Sequence, residues 1–353
     1  MSAWPLVPVG DVFSKSEESV LPESLRDAVT YLGLENVTQN TGEITGNVVT
    51  EKPSEIKSLK NVFNPGDLLY GKLRPNLNKV WVADRKGICS TDIFVIRPIE
   101  GQAIPALYGY IFRSARFNDA VLPQLKGAQL PRIGWSSFAE LQIPLPPLEV
   151  QKEIVAEIEG YQKVIDGARA VLDHYRPHIP IHPDWPMVEL GEVLTLQRGY
   201  DLPKQKWENG PYPIVGSNGI IGFHAHYKEV GPGVVTGRSG TIGKVHFIDF
   251  DYYWPHNTAL FVKDFKGNDP KYLKLLLEAI DLKSLGERTA AVPSLDRKNA
   301  HRIKVPLPPV SEQQAIVAEI EAEQALVAAN RELIARFEKK IQATLARVWG
   351  EEA

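Results

Sequence analysis

Apolar residues recur at steps of three, four or seven residues along two stretches of the chain. In the first stretch they are Ile154, Ile158, Tyr161, Ile165 and Leu172. In the second they are Ile316, Ile320, Val327, Ile334, Phe337 and Ile341. This spacing is typical of a helix with one apolar seam. It predicts a central helix within residues 147–176 and a C-terminal helix within 307–353.

The second helix is long enough to need a partner. From Glu312 to Trp349 it has 38 residues, which corresponds to about 57 Å at the rise of an α-helix. Ser311 followed by Gln314 is the pattern of a helix-capping box and predicts that Ser311 caps its first turn. We expect the seams of the two helices to pack together. The alternative is a surface helix on a globular domain.

Short apolar runs between turn residues predict strands in the remaining segments. The predicted strands are 67–70, 79–83 and 93–96 in one segment and 233–236, 244–248 and 258–262 in the other. A short helix is expected after each set, at 105–117 and 270–285. Both segments therefore have the same order of elements, mixed and mostly β.

The chain also repeats itself in sequence. Residues 4–12 return in similar form at 185–193, and 143–148 return at 305–310. Residues 154–159 return unchanged at 316–321. We therefore predict an α+β fold with a pseudo-two-fold internal repeat. Its predicted domains are 1–146 and 177–306, each followed by a helix, at 147–176 and 307–353.

Composition and charge narrow the function classes. The chain has 353 residues, of which 43% are hydrophobic and one is cysteine, so an internal disulfide framework and a multi-cysteine zinc site are excluded. We expect a soluble, cytoplasmic protein. The net charge of −3 at first argues against nucleic acid. However, the helix segments 147–180 and 307–353 carry −2 and −3, whereas 1–146 and 181–306 carry 0 and +2.

Sequence patterns of catalytic sites are mostly absent. A phosphate-binding P-loop would need glycine at Arg238 and Ser or Thr at Val245, and the glycines nearby have the wrong spacing for a dinucleotide fingerprint. His224 and His226 would bind a metal only with a third ligand that the sequence does not indicate. A solvated loop is the alternative for them, and no metal site is predicted.

Two loops are dense in groups that contact polar polymers. The first polar loop, 71–79, contains Lys72, Arg74, Asn76, Asn78 and Lys79. The second polar loop, 237–244, contains Arg238, Ser239, Thr241 and Lys244, and a further polar edge is formed by Tyr200, Lys204, Ser217 and Asn218. Arg and Lys suit phosphate oxygens and guanine edges, and Asn suits adenine. The matching places of the loops in the repeat favour a ligand-facing role over that of ordinary basic surface loops.

These features together resemble the specificity subunits (HsdS) of Type I restriction–modification enzymes. The segments that carry the resemblance are the unit openings 4–12 and 185–193, then 66–69, 89–92 and 240–245, and above all the Leu-Pro-Pro-x-x-x-Gln segments within 144–151 and 306–314. The resemblance covers essentially the whole chain.

The resemblance implies a bacterial or archaeal DNA-binding subunit without catalytic activity. Each mostly β domain would be a target-recognition domain reading one half of a split, asymmetric DNA site, and the helices would form an antiparallel coiled coil that sets the spacer. Two modification subunits would dock on it and methylate adenine with S-adenosylmethionine, and two restriction subunits using ATP and magnesium could join them. No cofactor is expected on this chain. Two other interpretations stay open, a non-DNA scaffold with two adaptor domains that binds protein partners, and an intrinsic enzyme.

Overall fold

Two compact units make up the structure, a computed structural model that describes residues 4–50, 52–127, 129–284, 286–287 and 294–351. Unit 1 comprises Met1–Ala170 with Arg331–Ala353, and unit 2 comprises Val171–Asn330. Both boundaries fall inside long helices, so each helix contributes to both units. The predicted domains instead treat each long helix as a segment of its own, at 147–176 and 307–353. Those boundaries stay a prediction.

Unit 1 contains eleven strands among its described residues. They are β1 (Leu6–Pro8), β2 (Phe13–Lys15), β3 (Ser19–Val20), β4 (Val29–Leu32), β5 (Val49–Thr50), β6 (Lys60–Phe63), β7 (Leu68–Gly71), β8 (Val80–Val82), β9 (Gly87–Cys89), β10 (Ile93–Pro98) and β11 (Gln142–Pro144). Its helices are α1 (Val9–Val12), α2 (Pro105–Arg113), α3 (Ala115–Val121), α4 (Trp135–Ala139) and the first part of α5 (Leu148–His174). The sheet orders are β1-β11, β2-β10-β7-β8 and β3-β6-β9-β4-β5.

Unit 2, like unit 1, combines many short strands with a few helices. Its strands are β12 (Met187–Glu189), β13 (Thr195–Arg198), β14 (Tyr212–Gly216), β15 (Gly219–His224), β16 (Glu229–Val230), β17 (Gly233–Gly237), β18 (Val245–Ile248), β19 (Tyr252–Pro255), β20 (Ala259–Asp264), β21 (Gly286–Glu287), β22 (Ser294–Leu295) and β23 (Lys304–Pro306). Its helices are α6 (Leu190–Val193), α7 (Pro270–Ala279), α8 (Arg297–His301) and the first part of α9 (Val310–Trp349). The sheet orders are β12-β23, β13-β20-β17-β18, β15-β14-β19-β16 and β21-β22.

The two units follow one plan, which confirms the predicted α+β repeat. The order β2-β10-β7-β8 matches β13-β20-β17-β18 strand for strand. Each second sheet contains one parallel pair, β4 with β9 and β14 with β19. The predicted strands correspond to β7, β8 and β10 and to β17, β18 and β20. The second sheet of each unit was not predicted, because most of its strands are too short to show a clear alternation.

The central strands β7 and β17 are buried along their whole length. Their apolar runs show no alternation, because both faces pack against other elements. In unit 1, one face of β7 packs in an aromatic core, where the ring centroids of Tyr70 and Phe138 are 4.6 Å apart. Each polar loop follows one of these strands, so the start of each loop is held by the core.

The short helices differ in detail from the prediction. The helix expected at 105–117 is two helices, since Ser114 breaks it and its side chain accepts a hydrogen bond from Phe117 N as the cap of α3. The helix expected at 270–285 ends at Ala279, and residue 285 lies outside the described residues. Helix α7 is capped by Asp269, whose carboxylate accepts from the N–H groups of Lys271 and Tyr272.

The long helices are confirmed, with 27 residues in α5 and 40 in α9. Their pairing is visible within unit 1. Ile158 and Ile165 of α5 pack with Ile341 and Leu345 of α9, and these four are joined by half-buried neighbours that include Ile154, Tyr161, Ile334 and Phe337. Tyr161 and Phe337 place their ring centroids 5.5 Å apart. The two helices run antiparallel, because residues later in α5 meet residues earlier in α9.

Two parts of the helix prediction are wrong. The helix α9 begins at Val310, so Ser311 lies inside its first turn rather than at the cap. Ile316 and Ile320 belong to the core of unit 2 and not to the seam between the helices. The first turns of α9 lie beside α7, where Lys271 Nζ and Glu321 Oε1 are 2.7 Å apart. Leu172 and Val327 are half-buried, and their place in the seam stays a prediction.

Candidate nucleic-acid interface

The two polar loops connect equivalent strands, β7 to β8 and β17 to β18. Each loop is closed at its base by the same backbone hydrogen bond. Gly71 N donates to Lys79 O at 2.9 Å, and Gly237 N donates to Lys244 O at 3.3 Å. The loops thus occupy one position in the common fold.

The residue after each of these glycines is anchored on both sides. The four bonds are Lys72 N to Asp92 O at 3.0 Å, Ile133 N to Lys72 O at 3.1 Å, Arg238 N to Thr258 O at 3.0 Å and Leu295 N to Arg238 O at 2.8 Å. Lys72 and Arg238 are therefore structural counterparts, although they lie in loops of different sequence. Each loop therefore begins with a positively charged residue whose backbone is held by two hydrogen bonds.

In the first polar loop, Arg74 and Asn76 are exposed. Arg74 has the left-handed backbone angle φ 49° and is followed by a 3-10 turn, Pro75–Leu77. Its N–H donates to Pro131 O at 2.8 Å, which brings the segment before Ile133 beside the loop. Lys72 is half-buried, with its ammonium 5.5 Å from the centre of the Phe94 ring.

Asn78 and Lys79 point into the fold instead, which argues against their predicted ligand role. Asn78 is 7% exposed, and its amide donates to Asn40 Oδ1 at 3.0 Å and to Arg113 O at 2.8 Å. The ammonium of Lys79 donates to Leu34 O. Both side chains satisfy interior polar groups, because a buried amide or cation needs such partners.

In unit 2 the structure brings the second polar loop and the Ser217–Asn218 turn together. Lys244 Nζ donates to Asn218 Oδ1 at 2.8 Å. A Cβ at Gly237 would lie 1.7 Å from Thr241 O and 3.2 Å from Ser217 O, so only glycine permits this approach. Arg238, Ser239, Thr241 and Ser217 are half-buried, whereas Asn218 and Lys244 are exposed.

The remaining two predicted ligand positions, Tyr200 and Lys204, have different surroundings. Lys204 is exposed and lines a cleft of about 390 Å³ with His256 and Asn257. The hydroxyl of Tyr200 donates to Glu229 Oε1 at 2.7 Å. Burial and the nearby Glu229 carboxylate raise the pKa of Tyr200. The Tyr200 hydroxyl is thus committed to a contact within the unit.

One cluster of arginines in unit 2 was not predicted from the sequence. Arg198, Arg238 and Arg297 line one cleft of about 420 Å³ in unit 2. Arg198 ends β13 and Arg297 begins α8, so their proximity depends on the sheet order and is not visible in sequence spacing. A local signal exists only at Asp296, which caps α8 by accepting from Lys298 N and so places Arg297 in the first turn.

Unit 1 has a smaller counterpart of this cluster. Arg132 lies beside the first polar loop, and its Nε donates to Asp92 Oδ1 at 3.2 Å. The carbonyl of Asp92 also holds Lys72 N. Lys72 and Arg74 thus carry positive charge in the loop, and Arg132 carries it in one of the two segments that anchor the loop.

The described residues contain no group of three or more His, Cys, Asp or Glu side chains placed to hold a metal ion. His224 is buried and its Nδ1 accepts from Glu208 N at 3.0 Å. His226 is exposed, with Nε2 3.5 Å from a Glu208 carboxylate oxygen. Among the helices of the described ranges, not one combines the length and apolar character of a membrane span.

A family model gives the broadest comparison with known proteins. The model of the Type I restriction modification DNA specificity domain matches residues 1–169 and 183–339. The two matched ranges correspond to the two repeats that the structure shows, and together they cover far more than half of the chain.

Individual relatives are more distant. The EcoDI specificity subunit of Escherichia coli is 30% identical over 129 residues, covering 36% of this chain and 28% of that protein. The MjaVIII specificity subunit of Methanocaldococcus jannaschii is 26% identical over 241 residues, covering 59% of this chain and 53% of that protein. The matches thus span about a quarter to a half of the length of these two relatives.

Solved structures share the fold over nearly the full chain. One, from a study of complex assembly and conformational transition in a type I R-M system, has a TM-score of 0.65 at 21% identity and covers 98% of this chain and 97% of its own. The HsdS subunit from Thermoanaerobacter tengcongensis has a TM-score of 0.54 at 20% identity, covering 98% of this chain and 96% of that chain. At these identities the likeness shows the fold alone.

Proposed function

Because the chain belongs to the family of Type I restriction–modification DNA specificity subunits, we propose that it selects the double-stranded DNA target of such a system. One observation carries this proposal. Two cation-led polar loops stand at the same position of a repeated unit, each anchored through its first cation. Such a repeat is suited to two similar contacts with one duplex.

Each unit reads one half of a bipartite target in this proposal. The counterparts Lys72 and Arg238 differ in chemistry, since lysine is a point charge suited to phosphate and arginine is a planar fork suited to guanine. The loop sequences also differ. We therefore expect two unlike half-sites and an asymmetric target.

Unit 2 has the stronger features for base reading. Arg198, Arg238 and Arg297 around one cleft supply several donors for guanine O6 and N7 or for phosphate oxygens. Ser239 and Thr241 add hydroxyls, and Lys244 with Asn218 forms an exposed polar pair. In unit 1 the exposed Arg74 and Asn76 take the same role.

The long helices set the spacer between the half-sites and dock two modification subunits. Support for the ruler comes from the antiparallel seam of α5 and α9 in unit 1, which resists sliding because its side chains interlock. Support for docking comes from the acidic excess of segments 147–180 and 307–353. Such segments suit protein surfaces better than DNA.

In this proposal the partner subunits carry out the catalytic reactions. The modification subunits transfer a methyl group from S-adenosylmethionine to adenine, and restriction subunits, where present, use ATP and magnesium. This chain contributes target choice and positioning and has no catalytic role of its own.

Methylome sequencing of a host that carries the gene with its modification subunit tests the proposal. We expect methylated adenines within one split motif, and a host without the gene should lack that motif. A salt-dependent shift of duplex DNA by the purified complex should accompany it. A complex that shows neither result but still binds its protein partners would support the scaffold interpretation instead.

A further inference from the structure

The repeated Pro-Pro-x-x-x-Gln segments place one glutamine in each unit at the start of a long helix. Gln151 lies four residues after Pro147, and Gln313 lies four residues after Pro309. Both are 0% exposed. A buried glutamine amide is costly unless its two N–H donors and its oxygen are satisfied. The polar loops do not include either residue.

Gln151 satisfies its amide completely within unit 1. Its Nε2 donates to Pro146 O at 2.8 Å and to Gln102 O at 3.0 Å. Its Oε1 accepts from Ile104 N at 2.8 Å. Ile104 is the residue that precedes α2 as its N-cap. One side chain thus joins the start of α5 to the start of α2.

Gln313 repeats this arrangement in unit 2. Its Nε2 donates to Pro308 O at 3.0 Å and to Asn268 Oδ1 at 2.8 Å. Its Oε1 accepts from Asp269 N at 2.9 Å. Asp269 is the N-cap of α7. The start of α9 is therefore joined to the start of α7 by the same three-bond pattern.

These bonds are directional, unlike the apolar contacts beside them. Ile316 and Ile320 hold α9 in the core of unit 2, and Ile154 and Val155 pack against the core of unit 1. Apolar burial is roughly proportional to the area removed from water and has no preferred direction. Three hydrogen bonds with fixed partners restrict rotations of the helix, because they weaken steeply when misaligned.

We propose that Gln151 and Gln313 are positioning residues that fix the orientation of each unit on its long helix and thereby restrict the DNA spacer length that the protein accepts. The inference rests on the proposed function, in which the helices act as the ruler. A ruler needs rigid attachment at both ends, and these two glutamines provide the matching attachments.

The first experiment measures methylation by the full complex on duplexes whose half-sites are separated by the cognate spacer or by one base pair more or less. Gln151→Met and Gln313→Met keep the side-chain volume and remove the hydrogen bonds. Each should lower the preference for the cognate spacer by about tenfold, because buried partners lose their bonds. The exposed neighbour variant Gln314→Met should keep the wild-type spacer profile.

Half-site selectivity is measured on the same complexes. It should stay unchanged in both variants, because the glutamines do not line the polar loops. A folded Gln151→Met or Gln313→Met complex with the wild-type spacer profile overturns the inference. A loss of half-site selectivity with an intact spacer preference also overturns it. If the wild-type complex methylates no split motif, the proposed function itself fails.

A second measurement applies to the chain without DNA. Nitroxide labels at Asp119→Cys on α3 and Lys163→Cys on α5 report the attachment within unit 1. Cys89 is 0% exposed, and burial also raises the pKa of its thiol to about 12, so that cysteine stays unlabelled. Gln151→Met should broaden the distance distribution between the labels, and the α5 control Gln162→Met should not.

A third variant guards against a failure of Gln151→Met to fold. A buried carboxyl group that faces two carbonyl oxygens takes up a proton, so Gln151→Glu keeps the acceptor for Ile104 N and one of the two donors. It should therefore broaden the distance distribution and the spacer profile to an intermediate degree. Unchanged distributions in every folded Gln151 variant would contradict the positioning role.

Discussion

Single residues in the polar loops divide into two kinds that look alike in sequence. Arg74 and Asn76 are exposed, whereas Asn78 and Lys79 donate to groups inside unit 1. The sequence identified the loop correctly as a polar segment. It did not separate these residues, because the partners of Asn78 and Lys79, among them Asn40 and Leu34, lie more than thirty residues away in the chain.

Arg238 and Arg74 are the residues on which DNA binding should depend. Replacing either with alanine in the full complex should weaken target binding by about 1–3 kcal/mol if the side chain contacts a base. Arg85→Ala is the matched control, because Arg85 is exposed and follows β8 at the end opposite the first polar loop. Titration of labelled duplex at fixed salt measures the effect. Unaltered affinity in both variants would remove the loops from the interface.

Asn78 should affect stability and not target choice. Asn78→Ala removes two hydrogen bonds from a buried site and should lower the free energy of unfolding by about 1–3 kcal/mol. Alanine also disfavours the left-handed backbone at φ 50°, at a further cost of about 1 kcal/mol. Urea denaturation should therefore rank Asn78→Gly between the wild type and Asn78→Ala. The reverse order would contradict this account.

Among the elements, the helix pair shows how one periodic seam is divided between two environments. Residues 154–159 and 316–321 have the same sequence. Ile158 packs with α9 in unit 1, whereas its counterpart Ile320 packs in the core of unit 2. The period predicts the apolar face of each helix. The partner of that face depends on which element lies opposite.

Two leucines of α9 test where the seam contributes stability. Leu345 is 5% exposed and Leu326 is 71% exposed. Leu345→Ala should lower the free energy of unfolding by about 2–5 kcal/mol through lost burial and a cavity. Leu326→Ala should change it by no more than about 0.5 kcal/mol. Equal effects of the two substitutions in denaturant titrations would show that the seam is not packed as described.

A polar contact between the two long helices predicts that the stability of unit 1 depends on pH. Glu157 accepts from Tyr161 Oη, Thr344 Oγ1 and Arg347 Nη2, at 3.0, 3.0 and 2.8 Å. Partial burial raises the pKa of Glu157, but the hydrogen bonds from Tyr161 and Thr344 and the Arg347 charge outweigh it, so the pKa lies below its usual 4.5. The stabilisation is therefore complete above that value and disappears as the pH falls through the folded-state pKa.

Glu157→Gln measures this contribution. At neutral pH the variant should be less stable than the wild type by less than about 1 kcal/mol, because the site is partly exposed. Well below pH 4.5, the usual pKa of the group, the difference should shrink, since the wild-type carboxylate is then protonated. Thermal unfolding at both pH values gives the comparison. A difference that grows in acid would contradict the lowered pKa.

For the whole molecule, the repeat predicts that target spacing and target sequence are separable. Deleting residues 160–166 from α5 and 336–342 from α9 removes one heptad from each helix and keeps the seam in register. Seven residues span about 10 Å, equal to about three base pairs at 3.4 Å. The accepted spacer should shorten by about three base pairs with both half-sites unchanged. Methylome sequencing would detect either change, and altered half-site bases would exclude the ruler.

The sequence alone determined the repeat, the two long helices, three strands of each unit and the place of both polar loops. These features follow from local periodicity and from similarity between segments, which do not require knowledge of the fold. The tertiary structure decided the correspondence of Lys72 with Arg238, the Arg198–Arg238–Arg297 cluster and the different packing of Ile158 and Ile320. Those depend on sheet order and burial, since residues far apart in the chain become neighbours only when the core forms.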